Sequence, residues 1–452
     1  MLDSAPRSVW HGDIAPITIG VVVLITLNAF EAIGSSTAMP VVARELGVLA
    51  DYTWAFNAYT VASLLAMVAS GLWGDARGPR GPLIAGISCF FLGSVLTGAA
   101  GGLPLLILGR GIQGMGGGAV LVSAYLLIAR AYPESLRPKA FSVLSAAWIV
   151  PSIVGPFIAG WLADSVSWRY VFWVVPILII PVAVLLVPRV GAFQGGVAHV
   201  KWRSRLLAGA VATIGLFWLQ DGALKLSPLG YAEAALGVVV LLLAVRKVLP
   251  PGALLLRRGL PSSVMMRAFF AAAYFSAEIF IPLALVQIRG LSTTMAGLTI
   301  AVSAVAWAGG SYVQSKLSAT EDRATTVRVG ALILAIAIVT LPLSLHDSWP
   351  AWTAGLSWIV ASAGMGLAVP SISVQVFRLS PEQDQGANSA AIQIVDAVGF
   401  SVAVAVLGIG YATAVAHGGA TAGTFTGLWL GSAAIAALVV LVGGRMRPRA
   451  SA

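Results

Sequence analysis

Charge is scarce in this sequence: of its 452 residues only 10% are Asp, Glu, Lys or Arg, against 58% hydrophobic, whereas soluble domains carry about a quarter charged. That shortage excludes water as the main solvent. A single cysteine, Cys89, excludes an internal disulfide. The four histidines, His11, His199, His346 and His417, all fall between apolar runs, and no group of Cys and His has metal-ligand spacing, so no metal site is expected. A GxxxxGK[ST] phosphate loop is missing. The one dense glycine run, Gly114 to Gly118, lies inside an apolar stretch and fails the dinucleotide spacing, which leaves helix packing as its meaning. No stretch is large enough for a soluble nucleotide-driven motor, and the first apolar run is too long for a secretory signal core.

What the chain has instead is apolar runs of about twenty residues, each long enough to cross roughly 30 Å of hydrocarbon as a helix. Barrel strands would alternate in character and span in about ten residues. Six runs come first, at about 16–40, 54–74, 82–100, 103–127, 139–162 and 169–188. Two shorter ones follow at 205–224 and 228–246, then six more at 265–288, 295–316, 328–345, 351–377, 388–415 and 424–443. The run at 205–224 is the weakest, because Gln220 and Asp221 interrupt it. The expected fold is an all-α polytopic membrane protein of about fourteen transmembrane helices. Its expected parts are a six-helix lobe at 14–190, linkers with two additional helices at 191–260, and a second six-helix lobe at 261–444.

A formal net charge of +10 invites a nucleic-acid reading, and the placement of the charges argues against it. With the amino terminus in the cytoplasm, 22 of the 27 basic residues fall in cytoplasmic segments, including Arg77, Arg80, Arg130, Arg267, Arg378 and Arg447. Only Arg44, Arg169, Lys225 and Arg289 fall outside, with Arg110 inside a span. Such a bias is the positive-inside rule at work, and it favours an even number of middle helices and two cytoplasmic termini. Arginine in excess over lysine, with plentiful Ala, Gly and Val, suits a GC-rich bacterial genome, so the bacterial cytoplasmic membrane is the expected location.

An ionised side chain at the centre of a spanning helix costs at least about 2.5 kcal/mol, which makes each one a functional candidate. Four stand out: Glu31, Arg110, Glu278 and Asp396. They occur in both groups of six, as expected if the lobes meet around a shared site. Poor hydration opposes the charged form of a carboxylate and a nearby guanidinium favours it, so such a group suits proton uptake and release. Static salt bridges or hydrogen bonds would leave the same trace in a sequence. Asn28, Trp54, Tyr59, Gln113 and Gln393 are the accompanying candidates for lining a substrate cavity.

Four segments carry a family resemblance: NAFEAIGSSTAMP (28–40), SGLWGDARGPRG (70–81), LGRGIQGMGGGA (108–119) and WIVPSIVGPFIAGWLAD (148–164). They resemble the major facilitator superfamily, most of all its fourteen-helix drug/proton antiporters. Glu31 precedes Pro40 by nine positions, as an acidic residue does in that family's first helix. Gly71, Asp75 and Gly78, followed by Arg77 and Arg80, resemble the gating loop between helices two and three, although Trp73 and Pro79 depart from it. Arg110, Gln113 and Gly114 resemble the fourth-helix motif, and the resemblance implies a proton-coupling role for Arg110. Gly155, Pro156 and Gly160 resemble the antiporter motif of helix five, with Pro151 and Ala159 where glycines are expected.

The resemblance implies a secondary transporter rather than an enzyme. The expected activity is proton-coupled efflux, by alternating access, of amphipathic drug-like or cationic small molecules, with the proton gradient as energy source and no cofactor. The expected partners are the small-molecule substrate, protons and the bilayer, with no nucleic acid, and the expected state is a monomer. A proton-coupled importer or a lipid or metabolite exporter of the same fold is the rival reading. A membrane-embedded enzyme or sensor would need convergent catalytic or ligand residues, and none is evident in the sequence.

Overall fold

Hydrocarbon offers no partner to a backbone N–H or C=O, so a spanning segment must satisfy them internally. The computed structural model describes residues 8–47, 54–133, 136–193, 202–291, 293–316, 322–381 and 384–448, and among them there is no strand. Sixteen α-helices account for nearly all of the described chain: α1 (Ala15–Glu45), α2 (Trp54–Arg77), α3 (Arg80–Gly98), α4 (Leu103–Ala131), α5 (Arg137–Ala146), α6 (Ile149–Leu162), α7 (Arg169–Val190), α8 (Trp202–Leu224), α9 (Pro228–Val245), α10 (Leu260–Arg289), α11 (Thr293–Ala301), α12 (Ser303–Ser315), α13 (Arg323–Thr340), α14 (Thr353–Leu379), α15 (Gln385–Ala416) and α16 (Ala422–Val442).

Thirteen stretches of the described residues are long and apolar enough to cross a membrane, among them Leu206–Ala223, the span that Gln220 and Asp221 had weakened. Asp221 is accommodated by Lys225, whose Nζ lies 2.5 Å from it and 2.6 Å from Glu233 across the turn to α9. The fourteenth expected span, 139–162, is broken into α5 and α6. Pro151 explains the break. It has no N–H to give the Ala147 carbonyl four residues back, and its ring crowds that carbonyl. The freed oxygen of Ala147 instead accepts a hydrogen bond from Thr26 of α1 at 3.2 Å. Pro370 of α14 frees the Gly366 carbonyl in the same way, and Ser311 of α12 donates to it at 3.2 Å.

The chain divides into two compact units, Met1–Thr213 and Ile214–Ala452, with the division falling inside α8. In the first unit α4 packs against α2 and α3, and α1 packs against α6 and α7. Its core joins Ile25 of α1 to Leu83 and Phe90 of α3, Leu127 of α4, and Val175 and Leu186 of α7. In the second unit α14 packs between α12 and α13, while α10 lies against α14, α15 and α16. Helix starts follow ordinary capping chemistry: Ser227 accepts from the Gly230 N–H with Pro228 at the first helical position, and Thr421 caps α16 together with Thr424.

Candidate functional site

Glu31 and Arg110 come from α1 and α4, and the packing of the first unit brings them together as an ion pair in which they are 1% and 3% exposed. Charges so deeply buried are tolerated only when paired and hydrogen-bonded, and the neighbours meet that condition. Ser35, one helical turn beyond Glu31, donates its hydroxyl to Glu31 Oε1 at 2.5 Å. Arg110 Nη1 donates to the same oxygen, to Ser35 Oγ at 3.2 Å and to Gln113 Oε1 at 2.7 Å. Gln113 passes the chain on, giving its Nε2 hydrogen to Ser94 of α3 at 2.8 Å. The guanidinium also lies over the Tyr59 ring, 4.8 Å from its centre, and the Tyr59 hydroxyl donates to Asn28 Oδ1 at 3.1 Å. Four helices thus meet at one polar cluster. Within it Glu31 Oε2 is buried and accepts no hydrogen bond from the described residues.

Small residues create the space for this cluster. A β-carbon on Gly114 would collide with the Tyr59 carbonyl, and one on Gly117 with the Tyr59 hydroxyl and the Asn28 amide oxygen. The glycine run of α4 therefore serves close helix packing, and that packing is what presses Tyr59 and Asn28 toward Arg110. Gly155 and Gly160 of α6 behave differently. A β-carbon there would meet Ile33 and Thr37 of α1 at 3.4 Å and 3.9 Å, which is ordinary contact. Pro156 lies between them, inside α6, and the helix lies along the one that carries Glu31.

The loop segment from Gly71 to Arg80 ends α2 and starts α3. Gly78 sits at φ +89°, a left-handed conformation that favours glycine, and Pro79 precedes the first residue of α3, Arg80. Asp75 reaches Arg130 at the end of α4, 3.9 Å away, and Arg77 is exposed. Trp73, a departure from the family's pattern, lies over Gly81, where a β-carbon would stand 2.6 Å from its ring.

In the second unit Asp396 of α15 is gripped by Arg267 of α10: Nε donates to Oδ1 at 3.0 Å and Nη2 to Oδ2. Arg267, grouped by the sequence with the cytoplasmic basic residues, lies two turns from the start of α10. Glu278, eleven residues further along the same helix, accepts a hydrogen bond from the Trp358 indole at 3.3 Å. Gln393 is half-buried on α15, one turn before Asp396. Trp54 opens α2, and its side chain lies outside the described residues.

Of the residues picked from the sequence, the structure gathers Glu31, Arg110, Gln113, Asn28 and Tyr59 into one cluster, and places Glu278 and Asp396 apart from each other on their own partners. The sequence names Arg267 only among the basic residues and does not single out Ser35, Ser94 or Trp358. Ser35 carried a signal, since it stands four residues after Glu31 on a helix and so shares its face. Ser94 and Trp358 carried none, because a serine or tryptophan in an apolar run is unremarkable.

Comparison with known proteins shows the family of this many-helix chain. Residues 21–404 match the Major Facilitator Superfamily, and the chain belongs to that family. It is similar to the multidrug transporter protein MdtP of Bacillus subtilis, 25% identical over 86% of this chain and 74% of that protein. The probable multidrug-efflux transporter Rv1634 of Mycobacterium tuberculosis is 26% identical over 93% and 92% of the two chains. The uncharacterized MFS-type transporter Rv1877 of the same species is 29% identical over 82% of this chain, which spans 56% of that relative's length. In fold, the chain is like the proton:xylose symporter XylE, with TM-score 0.64, 16% identity and 96% of each chain covered. It is likewise similar to the human organic anion transporter MFSD10, with TM-score 0.66 and 12% identity over 95% and 99% of the two chains.

Proposed function

We propose that this protein is a proton-coupled exporter of amphipathic, drug-like or cationic small molecules, driven by the proton gradient without a cofactor. It would work by alternating access as a monomer in the bacterial cytoplasmic membrane, with both termini cytoplasmic. The observation that carries the reading is the asymmetric Glu31 carboxylate: Oε1 takes hydrogen bonds from Arg110 and Ser35, while buried Oε2 takes none from the described residues. An oxygen in that state is a place to receive a proton. Protonation there makes the carboxyl neutral and removes its Coulomb attraction for Arg110, which keeps Ser35, Gln113 and the Tyr59 face as partners. The tie between α1 and α4 loosens, and proton occupancy becomes coupled to the packing of these helices. Support for export comes from the likeness to two relatives named for multidrug transport or efflux and from the helix-five glycines and proline on α6.

Everted membrane vesicles test the reading. With an imposed proton gradient, acid inside, adding a substrate dye should dissipate the gradient, and Glu31→Gln should abolish the response. Uptake of the dye together with protons from the acidic face would make the protein an importer and overturn the proposal. For topology, single cysteines in a Cys89→Ser background at Glu45 and at Arg77 should label from outside and only after permeabilisation, respectively.

A further inference from the structure

The segment after α16 forms a strap across the helix ends of the second unit. It begins with a single turn of 3-10 helix, Gly443–Met446. Met446 is fully buried, and its carbonyl accepts a hydrogen bond from Gln375 Nε2 of α14 at 3.3 Å. The Arg445 carbonyl accepts from the Gly259 N–H, just before α10, at 2.8 Å. Gly443 lies against Arg328 of α13, where a β-carbon would stand 2.9 Å from that side chain. Tied at these points, the strap brings Arg447 to the start of α13. There Nε donates to Asp322 Oδ2 at 3.0 Å, while Nη2 donates to the same oxygen and to Thr325 Oγ1, the latter at 3.2 Å.

Strap, α13 and α14 surround a cavity of about 270 Å³, several times the roughly 30 Å³ share of one water molecule. Its charge is lopsided: Arg323, Arg378 and Arg447 line it against the one carboxylate of Asp322, which Arg447 already engages. Arg378, in the last turn of α14, is exposed, and its side chain makes no hydrogen bond or ion pair with any described residue. Arg447 keeps its Nη1 edge, because the bonds to Asp322 and Thr325 use Nε and Nη2. Asp384, the next described acid along the chain from Arg378, is exposed and does not line the cavity. The start of α13 adds the positive end of its dipole. Like charges gathered around one space repel each other, and an anion placed among them offsets that cost. Guanidinium groups match phosphate best, through paired N–H donors.

Apolar surface continues from this basic end. Asp322, Thr325, Val329, Leu332, Ile336 and Val339 follow at steps of three or four residues and are all exposed, so they share one face of α13. The first two hold Arg447, and the other four are aliphatic over about 15 Å of helix. On α14, which packs against α13, exposed Val374 precedes Arg378 by one turn. A phosphate compound dissolved in water gains nothing from such a face. A phospholipid uses both parts, since its anionic head sits at the helix ends and its chains lie along the hydrocarbon-facing surface.

We propose that this cavity is a headgroup site for an anionic phospholipid, with the phosphate between Arg378 and Arg447 and an acyl chain along the aliphatic face of α13. On the topology proposed above, the lipid belongs to the cytoplasmic leaflet. By bridging the strap to α14 it fastens the end of α16 to its neighbours, a tie that the protein's own side chains leave open at Arg378.

The test is competition between phosphatidylglycerol and phosphatidylcholine, supplied in equal amounts to the purified full chain in detergent, with retained lipid counted by native mass spectrometry. Two arginines at roughly fivefold each should give wild type a preference for phosphatidylglycerol of at least about tenfold. Arg378→Gln removes no hydrogen bond of the fold and should lower that preference about fivefold, while Arg378→Lys should keep most of it. Arg258→Gln, at an exposed basic residue before α10 that does not line the cavity, should leave it unchanged. Equal losses in Arg378→Gln and Arg258→Gln would mean a diffuse basic rim and overturn the site, as would a wild type without preference. Displacement of phosphatidylglycerol by excess inorganic phosphate would make the cavity a site for a soluble anion and overturn the lipid assignment.

Discussion

The guanidinium of Arg110 is shared between the Glu31 carboxylate and the face of the Tyr59 ring, so that one side chain ties α4 to both α1 and α2. Removing one partner of so deeply buried a pair leaves a lone charge, which costs about 3–5 kcal/mol, whereas replacing both by apolar groups is often close to neutral. Arg110→Ala should therefore lower unfolding stability in detergent by about that amount, and Glu31→Gln by a similar or smaller one because the amide keeps hydrogen bonds. The double variant Glu31→Leu with Arg110→Met should be more stable than Arg110→Ala and equally unable to transport. Additive losses in the double variant would show that the pair is not coupled.

Close helix approach yields a sharper contrast on α4. Gly117→Ala drives a methyl into the Tyr59 hydroxyl and the Asn28 oxygen and must break the 3.1 Å bond between them. Overpacking of this kind costs about 1–3 kcal/mol. Gly111, on the same helix, has nothing within 4 Å of a β-carbon, and alanine there gains up to about 1 kcal/mol of helix propensity. Thermal melts of the two variants should move in opposite directions, and a Gly117→Ala protein as stable as wild type would refute the packing described.

At the start of α13 Asp322 accepts hydrogen bonds from Arg447, from Thr325 at 2.7 Å and from the Ala324 N–H at 3.2 Å. Arg447 above all, with Thr325 and the N–H helping, holds its carboxyl down at about 2. The folded value lies below the unfolded one of about 3.9, so the stabilisation is complete above that pH and is lost as the pH falls toward 2. Asp322 is 40% exposed, which keeps the effect small and open to screening by salt. Asp322→Asn, which still caps the helix, should lower the melting temperature slightly and equally between pH 7 and pH 5. The difference from wild type should shrink by about pH 3, and at about 0.5 M salt. A gap that stays constant to pH 3 would contradict the role given to Arg447.

Hydropathy made the spans legible, because the cost of exposing backbone to lipid forces each apolar run into a helix whatever its neighbours are. The broken span was not legible: Pro151 stood out only as a departure from a glycine motif, and its effect as a breaker depends on Thr26 of α1 being present to take the freed carbonyl. Glu31 and Arg110 were visible as costly charges, and their pairing was not, since it depends on how α1 and α4 pack. Arg267 was visible as a basic residue at the edge of an apolar window, and its partner was not, since Asp396 comes from a neighbouring helix. Trp358 left no trace at all, because its importance lies in the single N–H that it offers Glu278.

Arg267 and Asp396 also bear on which carboxylate exchanges protons, since Asp396 was a proton candidate beside Glu31 on sequence grounds. Its two oxygens are both engaged by one guanidinium, in a fork geometry, and neither is left bare as Glu31 Oε2 is. A clamp between α10 and α15 is the role that follows, with stability as its output rather than proton traffic. Asp396→Asn should then lower the melting temperature, by about 1.5–3 kcal/mol of lost charge-assisted bonding, while those molecules that fold still exchange about as many protons per substrate as wild type. Exchanging the two residues, Arg267→Asp with Asp396→Arg, should recover part of the lost stability, because the pair is specified by opposite charge across one helix contact. Proton stoichiometry from simultaneous pH and substrate flux in proteoliposomes separates the roles. If Asp396→Asn transports without moving protons and melts at the wild-type temperature, Asp396 is a titrating site and the clamp is wrong.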